Sequence, residues 1–318
     1  MICIHNFETN PFFNIAAEEY FLKNFTDDIF MLYRNSPSVV VGKHQNALAE
    51  VDIHYLKTHN IELVRRLSGG GAVYHDLGNV NFTFIRNGSV GSMVDFKGFT
   101  KPIIDYLTTL GLNANFGGHN SIMVNNFKVS GNAEHIYRNR VLHHGTLLFN
   151  ANLEQLEKCL YTNRERFTDR AVRSVRANVS NISTLLNNPI SIEILATNLF
   201  DFISNSLNAS PYKLNDFDIE SIKSLSTSRY STTEWNLGYS PKYELPIFIE
   251  IDGNNYTFQL KVENGVIVSA ESESNLPLIE IICSALLNCQ HEPIAVIDKF
   301  KNYGINDDIA NRIIEGMF

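Results

Sequence analysis

Four cysteines in 318 residues, at Cys3, Cys159, Cys283 and Cys289, are too few and too scattered for a disulfide framework, and no two form a CxxC pair. A stapled secreted scaffold is thereby excluded, as is a zinc or dithiol redox motif, and the thiols read as reduced core or surface groups. No stretch approaches the roughly 18 uninterrupted apolar residues that a membrane helix needs. The opening MICIHNFETNPFF has no basic run followed by an apolar one, so neither insertion nor export is expected and a cytoplasmic location is. Positive charge is also in short supply: 26 Lys and Arg against 34 Asp and Glu leave a formal charge of -8. That argues against a nucleic-acid partner, because phosphate-backbone affinity requires clustered cations. The one local exception is Arg164, Arg166, Arg170, Arg173 and Arg176, which read equally as a solvated face.

With 44% apolar residues the chain can bury a sizeable core, enough for one large domain and a smaller one. No repeat or low-complexity tract is visible. Short β-branched and aromatic runs at 29–33, 38–42, 61–66 and 80–85 read as strands, and helical spacing is better at 15–25, 101–110, 153–161 and 190–207. Their interleaving gives an α+β (mixed α/β) class. Around Trp235 to Glu244, Gly238, Pro241 and then Pro246 interrupt both periodicities, which suggests a connection between domains. Beyond it, runs at 247–251, 256–262 and 266–270 are separated by Asp252-Gly253 and Asn264-Gly265, dipeptides that supply positive φ in tight hairpins. A three-stranded meander is expected there, then a helix over 276–287 and another capped by Asn306, Asp307 and Asp308. The expected division is a catalytic domain of residues 1–243 and a small α+β accessory domain of residues 247–318.

The stretch Arg65-Arg66-Leu67-Ser68-Gly69-Gly70-Gly71-Ala72-Val73-Tyr74-His75-Asp76 follows an expected strand and precedes another. Three consecutive glycines carry a large entropic penalty on ordering, and a plain turn rarely needs them all. Close approach of backbone N–H groups to a ligand is one use, with Arg65 or Arg66 adding a fixed cation for a carboxylate or phosphate. Neither GxxxxGK[ST] nor GxGxxG is matched. In Lys128-Val129-Ser130-Gly131-Asn132-Ala133 a lysine sits in an otherwise apolar strand-like run, where a buried ammonium is costly without an anion beside it. A strand-end lysine reaching solvent is the simpler alternative. His143 and His144 precede Gly145 in a third such run; no further ligand at familiar spacing makes them a metal site, and core histidines are the plainer reading.

Together RRLSGGGAVYHDLGNVNFTF (65–84), KVSGNAEH (128–135), LHHGTLLFNANL (142–153), SVRANVSNISTLL (174–186) and EWNLGYSP (234–241) resemble the lipoate-protein ligase A family in order, spacing and content. The resemblance implies a large catalytic domain of the biotin/lipoate ligase kind followed by a small accessory domain. It implies two half-reactions: lipoate and ATP give lipoyl-adenylate and pyrophosphate, and an acceptor lysine then displaces AMP. ATP or adenylate contacts carry over to Arg66, Gly71, Ala72, Val73, Tyr74 and Lys128, and to Ser174, Val175 and Arg176 of the adenylate loop. Lys128 is the catalytic residue, the cation aimed at carboxylate and α-phosphate together. Lipoate is expected against Ser68, Gly69, Gly70, Gly71 and His144, its tail packing on residues such as Val73 and Phe82.

The partners implied are lipoyl domains of 2-oxoacid dehydrogenase complexes and the glycine-cleavage carrier protein, with magnesium alongside ATP. Where the family commonly has Gly-Arg-Asn-Asp, this chain has Gly118-His119-Asn120-Ser121, so no metal ligand is assigned. Three alternatives stand beside the ligase: a lipoyl or octanoyl transferase using a preformed donor, a biotin ligase, and a non-catalytic lipoate-binding module. The thioester route of octanoyltransferases has no cysteine in any matched block, and the GRGRxxR-type biotin loop is absent.

Overall fold

The computed structural model describes residues 1–88, 93–118, 120–160 and 164–318. Among them the largest sheet has eight strands, in the order Ser210–Pro211, Ile2–His5, Ile29–Tyr33, Asn79–Asn87, Arg140–Leu148, Phe127–Tyr137, Ser121–Val124 and Ala114–Phe116. The first three run parallel and the rest antiparallel. The run expected over 80–85 lengthens to nine residues because it lies between two partners, with Phe82 opposite Gly145 and Phe84 opposite His143. Helix Pro11–Asn24 begins with Asn10, whose side chain accepts from the Phe13 N–H, and proline at the first position needs no donor partner. Helix Phe96–Thr109 starts earlier than its apolar spacing suggests, capped by Asp95, and carries Pro102 in its first two turns.

A second sheet of three strands, Glu62–Arg65, Ser38–Val41 and Val73–His75, holds both ends of the glycine-rich loop. The third joins Tyr243–Ile251, Asn254–Glu263 and Val266–Ser272 as the expected meander, its tight turns made by Asp252 (φ 48°) with Gly253 (φ 75°) and Asn264 (φ 50°) with Gly265 (φ 74°). Its first strand starts earlier than expected and takes in Pro246. The neighbouring strand on that side, Thr168–Asp169, reaches only as far as Tyr243 and Glu244, so the missing N–H of Pro246 breaks no ladder bond. Helices Pro277–Leu286, Pro293–Asn302 and Asp307–Met317 cover this sheet's apolar face, the last capped by Asn306. The middle helix escaped the sequence pattern, since its spacing is broken by Lys299 and Lys301.

Among the described residues, buried apolar side chains form three clusters. One lies between the large sheet and the helices Phe96–Thr109 and Ile192–Ser206, and one surrounds Pro11–Asn24. The third is continuous from Val39, Ala47, Leu56 and Tyr74 through Phe167 to Leu245, Phe258, Ile282 and Met317. The meander and its helices thus share apolar packing with the three-stranded sheet.

Candidate active site

Arg65 ends its strand and Arg66 follows it, and the two side chains serve two neighbouring segments. Arg65 is fully buried; its guanidinium donates to the carbonyls of Gly42 (3.0 Å), Gln45 (2.8 Å), Trp235 (3.0 Å) and Asn236 (2.8 Å) and to Ser240 Oγ (2.9 Å). Trp235 Nε1 returns a bond to the Arg65 carbonyl at 2.8 Å. Arg65 therefore fastens residues 234–241 to the small sheet. Arg66 turns the other way and knits the loop that follows it, donating to Ser68 Oγ (2.9 Å) and to the carbonyls of Val40 (2.9 Å), Gly69 (2.7 Å) and Gly71 (2.8 Å). Burial lowers both guanidinium pKa values to about 10, which leaves them charged at neutral pH.

The loop needs its glycines unequally. Gly70 has φ 89°, in the left-handed region, and a Cβ on Gly71 would lie 2.9 Å from Ser174 Oγ. No contact explains Gly69. Ser174 is itself tethered: its Oγ accepts from Ala72 N–H (2.8 Å) and Gln45 Nε2 (3.0 Å) and donates to the buried Glu50 carboxylate. Arg164 pairs with Glu50 at 3.0 Å and donates to the Ser174 carbonyl at 2.8 Å. On the far side Lys128 N–H donates to the Asn178 carbonyl (2.9 Å) and Ser180 N–H to the Lys128 carbonyl (3.2 Å). Between these fastenings Val175 is 89% exposed and Arg176 also faces solvent.

Two cavities, of about 280 and 480 Å³, meet at Lys128. Its ammonium is half-buried, with no ion pair among the described residues, and burial pulls its pKa below that of a free lysine. The smaller cavity runs inward between Ile15, Tyr33, Val40, Asn81 and His144. The larger opens past Leu148, Leu153, Leu156 and Leu160 toward Arg176 and Val179. Ala72, Val73, Ser174 and Val175 border both.

Of the residues singled out in the sequence, Arg66, Gly70, Gly71 and His144 line the inner cavity and Tyr74 and Arg176 the outer one. Ser68 and Gly69 are on neither wall. Ser68 instead acts beneath the loop, where its hydroxyl lies 2.6 Å from His144 Nε2. Ser68 Oγ accepts from Arg66 Nε and meets His144 Nε2, and His144 Nδ1 lies 2.8 Å from Glu18. Glu18 also accepts from Tyr33 (3.0 Å) and Thr83 (2.5 Å), so the inner wall is one closed hydrogen-bond chain.

Phe82 departs from expectation. It is fully buried on the opposite side of the sheet, stacked toward His143 and away from the cavity, because its strand is long enough to have covered faces on both sides. His75, by contrast, is an unexpected wall residue: Asn35 Nδ2 lies 3.0 Å from its Nδ1, and burial, then Arg66, lower its pKa to about 3. Glu18, Gln45, Glu50 and Arg164 carried no local motif. His119 lies outside the described residues. Among those described, no group of three or more His, Cys, Asp or Glu side chains could hold a metal ion, and Ser121 supplies no carboxylate.

Residues 10–204 match the family model of the lipoyl protein ligase A/B catalytic domain. Lipoate--protein ligase 1 of Staphylococcus aureus is 38% identical over 289 residues, spanning 89% of this chain and 88% of that one. A solved lipoate-protein ligase A bound with ATP superposes with a TM-score of 0.64 at 27% identity, over 75% of this chain and 98% of that one. A bi-partite lipoate protein ligase, studied with its E2 lipoyl domain from Thermoplasma acidophilum, gives a TM-score of 0.65 at 26% identity, over 75% and 96%.

Proposed function

Since the chain belongs to the lipoate-protein ligase family, and is an ATP-dependent ligase that attaches lipoate to protein, we propose that both of its half-reactions are built around Lys128. The carrying observation is a half-buried ammonium, without a carboxylate partner among the described residues, at the junction of two cavities. In this reading the inner cavity takes the lipoyl chain, with Arg66, Ser68, Gly69, Gly70, Gly71 and His144 forming or bracing its wall. The outer cavity takes the nucleotide against Ala72, Val73, Tyr74, Ser174, Val175 and Arg176. Both carboxylate and α-phosphate then lie beside Lys128.

A lipoate carboxylate oxygen attacks the α-phosphorus, the bond to the bridging oxygen breaks, and pyrophosphate leaves. Charge accumulates between two anionic groups, which a fixed ammonium offsets in water-poor surroundings. In transfer, the neutral amine of the acceptor lysine attacks the mixed anhydride carbonyl; AMP departs, and the same ammonium steadies the oxyanion. No protein nucleophile is needed. Burial lowers the Lys128 pKa in the free protein, so kcat/KM is expected to fall on the alkaline side at a lower pH than a free lysine would give.

The described residues offer no preformed cluster of three or more metal-binding side chains, and we propose that magnesium is brought by the triphosphate. We also propose that the acceptors are lipoyl domains of 2-oxoacid dehydrogenase complexes and the glycine-cleavage carrier protein, that the reaction is cytoplasmic, and that residues 247–318 act as an accessory domain to residues 1–243. The relative studied with an E2 lipoyl domain supports the first acceptor class. The test is a mass spectrum of a lipoyl domain after incubation with this protein, ATP, magnesium and lipoate. A gain of one lipoyl group with pyrophosphate released is expected; an unmodified domain overturns the reading.

A further inference from the structure

His143 and His144 are adjacent on one strand and so project from opposite faces of the large sheet. His144 belongs to the inner cavity. His143 lies behind the sheet, fully buried, stacked on Phe99 at 4.9 Å between ring centres and edge-on to Phe96, both from helix Phe96–Thr109. It is placed directly across from Glu134 in the strand register, and Gly145 lies across from Asn132. A Cβ on Gly145 would come within 2.2 Å of Asn132 Oδ1, so the glycine clears the space through which Asn132 reaches the histidine.

Three contacts fix which way this group of side chains donates. Asn132 Nδ2 approaches the Asn120 carbonyl (3.1 Å) and Ser130 Oγ (3.2 Å). The carbonyl only accepts, so the amide nitrogen must face it, which turns Oδ1 toward His143 Nε2 at 3.2 Å. His143 Nε2 therefore carries a hydrogen. Its Nδ1 faces Glu134 Oε1 at 2.9 Å, and one further proton lies in that contact, whichever atom bears it. The donor direction thus runs from the Glu134–His143 pair to Asn132, and from Asn132 to Asn120. Asn120 is held twice more, by Asn132 N–H to its carbonyl (2.9 Å) and by its own Nδ2 to the Asn132 carbonyl (2.8 Å). Asn120 lines the inner cavity beside Lys128 and Gly131.

We propose that His143, fixed by Glu134, is a positioning residue for activation: acting through Asn132 from behind the sheet, it holds Asn120 and the strand edge at Gly131 against the place where carboxylate and phosphate meet Lys128. This rests on the ligase reading of the cavity. Glu134 Oε2 is buried without a hydrogen-bond partner among the described residues, so the pair is not arranged for its own stability alone.

The test has two arms. In the free protein, nitrogen-15 NMR of labelled histidine should show His143 protonated at Nε2 with a slowly exchanging ring proton; a bare Nε2 overturns the proposal. In lipoate-dependent pyrophosphate exchange, His143→Phe keeps the aromatic stack but removes the donor. Its kcat should fall on the order of tenfold to a hundredfold with the lipoate KM little changed, as a misplaced reacting geometry predicts. Glu134→Leu should reproduce the loss. Glu134→Gln should restore it, since a glutamine amide can donate to Nδ1 and leave the hydrogen on Nε2. Wild-type kcat in both His143→Phe and Glu134→Leu, or a loss carried wholly in KM, overturns it. If wild-type protein shows no exchange, the ligase reading fails and the relay's role with it; active wild type with indifferent variants removes the relay alone. Should His143→Phe not fold, the NMR arm and the Glu134 pair still decide.

Discussion

The wall of the inner cavity and the loop across from it are built on opposite plans. Residues 66–71 are held from within by one buried guanidinium that reaches two carbonyls of the loop itself and one of the adjoining strand. Residues 172–179 are held from outside, at Ser174 and where Asn178 meets Lys128, with an exposed span between. Both segments border the same reactive point. The contrast separates a surface shaped before any ligand arrives from one whose shape depends on a few polar fastenings.

The harshest break in that contrast is Arg66→Met. It strips hydrogen bonds from the buried carbonyl of Val40 and the partly buried carbonyls of Gly69 and Gly71 and removes the guanidinium near Glu18, at a cost of about 3 to 5 kcal/mol. A urea midpoint that does not move would show the wall is not held from within. Next comes Lys128→Ala, where the two plans meet. Adenylate formation should fall on the order of a hundredfold to a thousandfold, about 3 to 4 kcal/mol of barrier, with the melting temperature little changed. Lys128→Arg should not rescue it, since a planar fork does not replace a compact ammonium. Near wild-type carrier modification by either variant would mean the reactive point lies elsewhere.

Ser174→Ala releases the outer loop and should cost only about 1 kcal/mol of stability. Its mark should be on nucleotide KM, and amides of residues 173–177 should exchange faster than in the parent. Hydrogen exchange sharpens the comparison further: ATP with lipoate should protect 173–177 strongly and 63–66 little, and equal protection before and after ligand would remove the distinction. The effect that is silent at neutral pH is an acid-side one. His75 has its folded pKa lowered to about 3 against an unfolded value near 6.5, so the unfolded chain binds the extra proton. Its contribution to stability is full above about 6.5 and is lost as pH falls toward 3. Replacing His75 with glutamine should flatten the acid limb of a stability-pH curve in that window.

Much of this was legible in the residues, for reasons that differ by segment. Asp252-Gly253 and Asn264-Gly265 named their hairpins because positive φ is a local demand. Lys128 stood out as a charge in an apolar run. Arg66 could be placed at the loop but not given its bracing role, because a carbonyl acceptor leaves no trace in sequence. Glu18, Gln45 and Glu50 reach the site from 124 to 129 positions away in the chain, where pattern is silent: Glu18 to His144 over 126, and Gln45 and Glu50 to Ser174 over 129 and 124. Phe82 was assigned to the wrong side of its strand, although alternation already put it opposite to Asn81 and Thr83.

The apolar cluster that joins Val39 and Leu56 to Leu260 and Met317 bears on how the chain must be made. A ribosome delivers residue 39 long before residue 317. Until the meander emerges, Ile53, Leu56 and Phe167 lack its cover, and Thr168–Asp169 has no strand to pair with. Through that interval a nascent chain presents a greasy face and an open sheet edge together, the combination that draws chaperones and promotes mispairing. Slow synthesis through residues 170–240 would lengthen the exposure, and premature termination there would yield a product prone to aggregate.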